Sequence, residues 1–224
     1  MNDMLLWTDT LESRRNALEG RLYSAHIADL EITCLTYLDA AQWQFRDTAS
    51  VARRILVLYA LSLAAYKPDK KTAILAWLQY QQLKSALSAE EKAFLQSNDT
   101  DDKILARYSW NLEGAYILAW ALQLVREAPA AGKEAPIAAL LEHIPRLGED
   151  TVDFIHNCQY QEDSVLMEEC IFNDLAVMHL RRLYEQGART VQMLHPMALF
   201  ERQKALRWMV MSRPQSAQQG GYTF

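Results

Sequence analysis

An all-α fold, a single-domain bundle of roughly eight or nine helices with mostly antiparallel neighbours, is what this sequence predicts. Three observations predict it. Apolar residues recur at helical spacing from near residue 10 to near residue 211. Glycine (7) and proline (6) are scarce, which speaks against the many tight turns of a β-rich fold. Half of the 224 residues are hydrophobic and 23% are charged, enough for a sizeable core. The helical domain is expected over 1–211. A polar, glycine-bearing tail follows over 212–224, with Tyr222 and Phe224 the candidates for docking it.

Taken in order, Leu11, Leu18, Leu22 and Ala25 begin one apolar stripe, and Ile27, Leu30, Cys34, Tyr37 or Leu38 and Ala41 continue it. The spacing predicts one long helix, or two broken near Gly20. Residues 50–66 are apolar on nearly every side, as in a helix at the middle of a bundle. Lys67-Pro68-Asp69 stops it, and 70–86 forms the next helix with Ile74, Trp77, Leu78 and Leu83 inward. Ser88-Ala89-Glu90-Glu91 reads as a capping box opening a short helix. The acidic connection 97–102 lacks the glycine and distal glutamate of a calcium loop and reads as solvated. Residues 102–127 predict one helix, 129–136 a small-residue loop, and Ile137 to Ile144 a helix stopped at Pro145 and Gly148. A shorter helix is expected over 150–161 and a long one over 164–186, closed by Gly187. Pro196 opens the last, over 197–211.

A net charge of −5 argues against sequence-independent nucleic-acid binding, which needs clustered Lys and Arg. The three cysteines, Cys34, Cys158 and Cys170, form no CxxC pair and suggest no disulfide framework or zinc knuckle. The amino terminus has an early acid and no long apolar stretch. The longest apolar runs, 55–66 and 114–122, fall short of the ~20 residues that span a bilayer. A cytoplasmic protein without a membrane partner is expected.

There is no HExxH, no Glu-x-x-His pair and no close His/Cys/Asp cluster, so no metal site is expected. His156 and Cys158 sit two apart, pointing away from each other on a helix. There is no GxSxG elbow, and the cysteines lie in apolar stripes where thiols are inert. No catalytic residue and no cofactor is assigned. Glu162, Asp163, Glu168 and Glu169 straddle a helix start, where acids stabilise the helix N-terminus. The six tryptophans and ten tyrosines read mainly as core.

One site asks for more. Around residue 115 both helix faces are apolar, and Glu113 lies within the stripe Trp110, Ile117, Trp120, Leu124. Gly114 beside it would admit a close neighbour. A carboxylate there must be paired, hydrogen-bonded or neutral. Arg54 and Arg202 sit equally oddly in apolar stripes, and Glu201 shares a face with Ala205 and Trp208. Glu113 is therefore expected to pair with Arg54, Arg53 or Arg202. The constellation Glu113, Arg53, Arg54, Arg202, Glu201, Trp110, Trp120 and Trp208 reads either as a buried ion-pair network or as a polar pocket walled by tryptophan.

The run Ser109-Trp110-Asn111-Leu112-Glu113-Gly114-Ala115, continuing to Ala119-Trp120-Ala121-Leu122, resembles the hallmark of a large bacterial family, the domain-of-unknown-function 4272 group. So do residues 87–95 and the block Phe200-Glu201-Arg202-Gln203-Lys204-Ala205-Leu206-Arg207-Trp208. The resemblance covers residues 50–210. Members often end in a Trp-Asp…Asp-Thr segment, where this chain reads Ser212-Arg213-Pro214-Gln215. The resemblance implies small cytoplasmic bacterial proteins, an all-helical fold and prominence for Trp110, Glu113, Trp120, Glu201, Arg202 and Trp208. It implies no activity.

Three functional classes follow. The leading one is a non-catalytic protein-binding module, an immunity-type protein or adaptor that neutralises a basic toxin or effector with an acidic or aromatic surface. The second is an enzyme or small-ligand binder using the Glu113 pocket. The third is a structural homo-oligomer subunit.

Overall fold

Helical spacing in the sequence becomes helix in the structure, and the chain is all-α and multi-helical. The computed structural model describes residues 2–27, 31–97, 101–189, 191, 193–213 and 222–223, without the side chains of 2–9, 31 and 222–223. The helices are α1 (Asn2–Ser24), α2 (Thr48–Tyr66), α3 (Lys71–Tyr80), α4 (Ala89–Gln96), α5 (Asp102–Ser109), α6 (Asn111–Ala121), α7 (Ile137–Leu141), α8 (Val152–His156), α9 (Asp163–Glu185) and α10 (Pro196–Met209). Two short antiparallel ladders accompany them: β1 (Glu31–Ile32) with β4 (Tyr222–Thr223), and β2 (Gln44–Phe45) with β3 (Val210–Ser212). Docking by the Tyr222 and Phe224 side chains, like the expectations for Leu30 and 98–100, lies outside the described residues. The backbone contacts group into two compact units, Arg46–Ala130 with Glu134–Tyr160, and Met1–Phe45 with Ala131–Lys133 and Gln161–Phe224.

In the unit that begins at Arg46, α2 packs against α5, α6 and α8. Asp47 caps it, accepting from the Ser50 N–H and hydroxyl at 2.7 Å each, and these bonds hold the Asp47 carboxyl below its ordinary pKa. Ala, Ser and Thr extend α2 well beyond the apolar run 55–66. Among the described residues it is the one helix whose length and hydropathy would suit a bilayer crossing. Most of it, 61%, is buried inside the fold, as in a core helix. Arg54 on α2 forks onto Glu91, with Nη2 2.6 Å from Oε1 and Nη1 2.9 Å from Oε2. Glu91 is also the last residue of the expected capping box, both halves of which form with Ser88. One carboxylate thus caps the start of α4 and ties it to α2.

The single helix expected over 102–127 is two, broken at Trp110. The carbonyls of Tyr108 and Ser109, freed at the break, accept from the buried Ser62 hydroxyl at 3.1 and 3.3 Å. Helix α6 then stops early, because Gln123 turns left-handed at φ 58° and its successor's N–H reaches back to the Ala119 carbonyl. Gln82 closes α3 in the same manner at φ 56°. These are Schellman closures made without glycine. The helix expected over 150–161 contracts to Val152–His156.

In the other unit α9 packs against α1 and α10. The described residues of the stripe Ile27–Ala41 form no α-helix. After α1 the chain turns left-handed at His26 (φ 59°) and then forms β1 and two 3-10 turns, 35–38 and 40–42, the second capped by the Asp39 carboxylate. Ile32, Thr33 and Thr36 supply the β-branched character that favours this. Gly20 lies inside α1 and breaks nothing. The small-residue loop is explained at Ala131–Lys133. The His195 N–H donates to the Ala131 carbonyl at 2.9 Å, and a Cβ on Gly132 would overlap the Met193 carbonyl.

Removing one partner of the Arg54–Glu91 pair strands the other charge. Glu91→Leu is expected to lower unfolding free energy by about 3 kcal/mol in urea titrations. Arg54→Met combined with Glu91→Leu is expected to recover most of that loss.

Candidate functional site

Glu113 opens the first turn of α6 and is 3% exposed. Its Oε1 accepts from the Ala135 backbone N–H at 2.8 Å, a buried hydrogen bond that fastens the 134–136 segment to α6. Of the arginines expected near it, Arg54 forks onto Glu91. Arg53 stays half-buried beside the Asp47 cap. Trp110 and Glu113 line a cavity of about 160 Å³ with Tyr66, Ser109 and Glu134, while Trp120 is 6% exposed and packs in the core away from it.

The remaining expected residues belong to the other unit. Arg202 on α10 is 1% exposed and donates from Nη2 to the Lys133 carbonyl at 2.6 Å. This charge-assisted hydrogen bond ties the 131–133 loop to α10. Glu201 pairs with Lys204 at 3.1 Å, one helical turn on, and Trp208 is half-buried.

Sequence reasoning missed the polar interior of α9. Glu169 is 2% exposed and does not serve the helix start; it accepts from Arg21 Nη2 at 2.6 Å and from Asn173 Nδ2 at 2.7 Å. Arg21 also lies over the Phe172 ring, 3.8 Å from its centroid. Asp174, equally buried, gathers Gln203 (2.8 Å), Arg207 Nε (2.7 Å) and Arg213 Nη1 (2.9 Å). Asp174, Arg207 and Arg213 line a cavity of about 420 Å³ with Cys170, Trp43 and Ser212. Burial, with Asp174 and Glu169 beside it, pushes the Cys170 thiol well above its ordinary pKa. Burial also raises Cys158. A thiol so shifted is a poor nucleophile at neutral pH. The partners of α9 lie tens to more than a hundred residues away, so no local spacing could have announced them.

The exposed surface carries a different feature. At the end of α3, Trp77 Nε1 and Gln81 Nε2 both donate to the Glu149 carbonyl, at 2.9 and 3.2 Å. Gln81 Oε1 accepts from the Thr151 hydroxyl at 2.9 Å. This lock holds the acidic segment Glu149, Asp150 and Asp153 against α3, with Tyr80 (81% exposed) and Val152 (54%) flanking it. An aromatic ring and carboxylates on a fixed backbone suit recognition of a basic surface. Among the described residues no group of three His, Cys, Asp or Glu side chains is placed to hold a metal ion.

The family model described as "Domain of unknown function (DUF4272)" matches residues 14–217. No curated protein and no solved structure matches the chain significantly.

Replacing Glu113 separates its charge from its acceptor. Glu113→Gln keeps an oxygen for the Ala135 N–H, whereas Glu113→Leu strands that buried donor and is expected to lose about 1–3 kcal/mol more. Urea midpoints of the two variants measure the difference; equal losses would show that the bond to Ala135 is not what the carboxylate contributes.

Proposed function

The chain belongs to the family of the domain of unknown function DUF4272, and from that premise we propose that it is a non-catalytic protein-binding module, a bacterial cytoplasmic adaptor or immunity-type protein that covers a basic toxin or effector. The observation that carries this reading is the locked acidic edge with Tyr80 and Val152 exposed beside Glu149, Asp150 and Asp153. Large apolar groups left in water are the anchors of interfaces, and carboxylates around them speed encounter with a cationic partner. Pre-ordering by Trp77, Gln81 and Thr151 lowers the entropy lost on docking.

A second reading, a small-ligand binder or enzyme at Glu113, is supported by the cavity beside Trp110. At about 160 Å³ it is smaller than the ~300–1,000 Å³ usual for ligand sites, which favours the first reading.

Affinity capture of the tagged full-length protein from its native host tests the proposal. Wild type is expected to retain one stoichiometric basic protein. The variant Tyr80→Ala/Asp150→Lys/Asp153→Lys, with unchanged circular dichroism, is expected to lose it. No such partner on wild type, or equal retention by the variant, would overturn the reading.

A further inference from the structure

A further cavity, of about 460 Å³, lies in the unit built on α2, and none of its lining residues belongs to the edge described above. Its apolar lining comes from Leu63 on α2 and from Leu141, Ile144 and Leu147 of the 137–147 segment. Its polar lining is Tyr59, Lys67, Lys70 and Arg146. All three charged lining residues are cationic, in a chain whose net charge is −5. Among the described residues none of these three head groups forms an ion pair; the Glu149 carboxylate accepts from the Arg146 backbone N–H at 2.8 Å. Tyr59 is half-buried, and that burial raises its phenol above the ordinary value and keeps it a neutral donor. The volume falls within the range of small-molecule sites.

We propose that this cavity binds a free small molecule with an oxyanion head and a short apolar tail, a medium-chain acyl carboxylate or alkyl phosphate. The tail lies against Leu63, Ile144 and Leu147, and the head meets Lys67, Lys70 and Arg146. Three cations around one apolar hollow repel one another, and an oxyanion converts that repulsion into attraction. Arg146 offers the forked donor that suits either head group. Leu141, 42% exposed at the margin, is the apolar surface that a tail would cover. The inference is independent of the protein-binding reading.

Isothermal titration of the full-length protein with sodium decanoate and with decyl phosphate tests it. Butyrate, decanol, decyltrimethylammonium and phosphatidylglycerol vesicles serve as the other arms. Saturable one-to-one binding of decanoate or decyl phosphate is expected, and the better of the two identifies the head group. Butyrate, decanol and the cation are expected to bind at least about tenfold more weakly. The exposed charge reversals Lys67→Glu/Lys70→Glu/Arg146→Glu are expected to weaken binding about tenfold at unchanged melting temperature. Leu147→Asp should weaken it from the tail side. Absence of saturable binding by both anions, equal binding of decanol, unaltered affinity in the charge-reversed protein, or binding to vesicles in preference to monomeric anion would each overturn the proposal.

Discussion

A helix that is apolar on every side has no preferred rotation about its axis until a polar group on it must find a partner. This constraint governs the fold, because α6 is buried nearly all round and α2 and the middle of α9 are largely buried. Hydrophobic burial drives their association but is non-directional. Direction comes from the few charges carried inside: Arg54 on α2, Glu113 on α6, and Glu169 and Asp174 on α9. Each has one arrangement in which it is satisfied, and any other rotation would strand a charge in the core.

The ways these charges are satisfied differ. Arg54 is matched by a carboxylate that a helix start has already fixed, so one residue, Glu91, sets both a cap and a helix pair. Glu113 accepts from a backbone amide and so fastens a loop. In the other unit Arg202 does the converse, donating to the carbonyl of Lys133. Loops with small residues lack side chains to fasten themselves, so long polar side chains reaching from helices do it for them.

Much of this was legible in the sequence where the signal is local. The capping box at Ser88, the stop at Gly187, the helix start at Pro196 and the oddity of Glu113, Arg54 and Arg202 all follow from spacing. The reading failed where a local rule was broken by tertiary structure. His26, Gln82 and Gln123 end helices in a left-handed turn that glycine would have signalled. The break at Trp110 depends on the Ser62 hydroxyl, tens of residues earlier. The stripe from Ile27 to Ala41 has helical spacing, but its described residues form a strand and 3-10 turns, because the partner of that strand lies far along the chain. Glu169 and Asp174 looked like ordinary helix acids until their distant partners converged. Pockets, finally, are shapes; nothing in the order of Tyr59, Lys67 and Arg146 reveals that they share one.

The central claim is that the polar groups inside these apolar helices are held in one fixed arrangement. Native-state hydrogen exchange at the Ala135 amide tests it most directly, since this N–H lies outside any helix and is protected only by Glu113. The account predicts exchange as slow as that of the core amides of α6, with loss only on global unfolding. Exchange at the rate of an open loop, with α6 still protected, would contradict it.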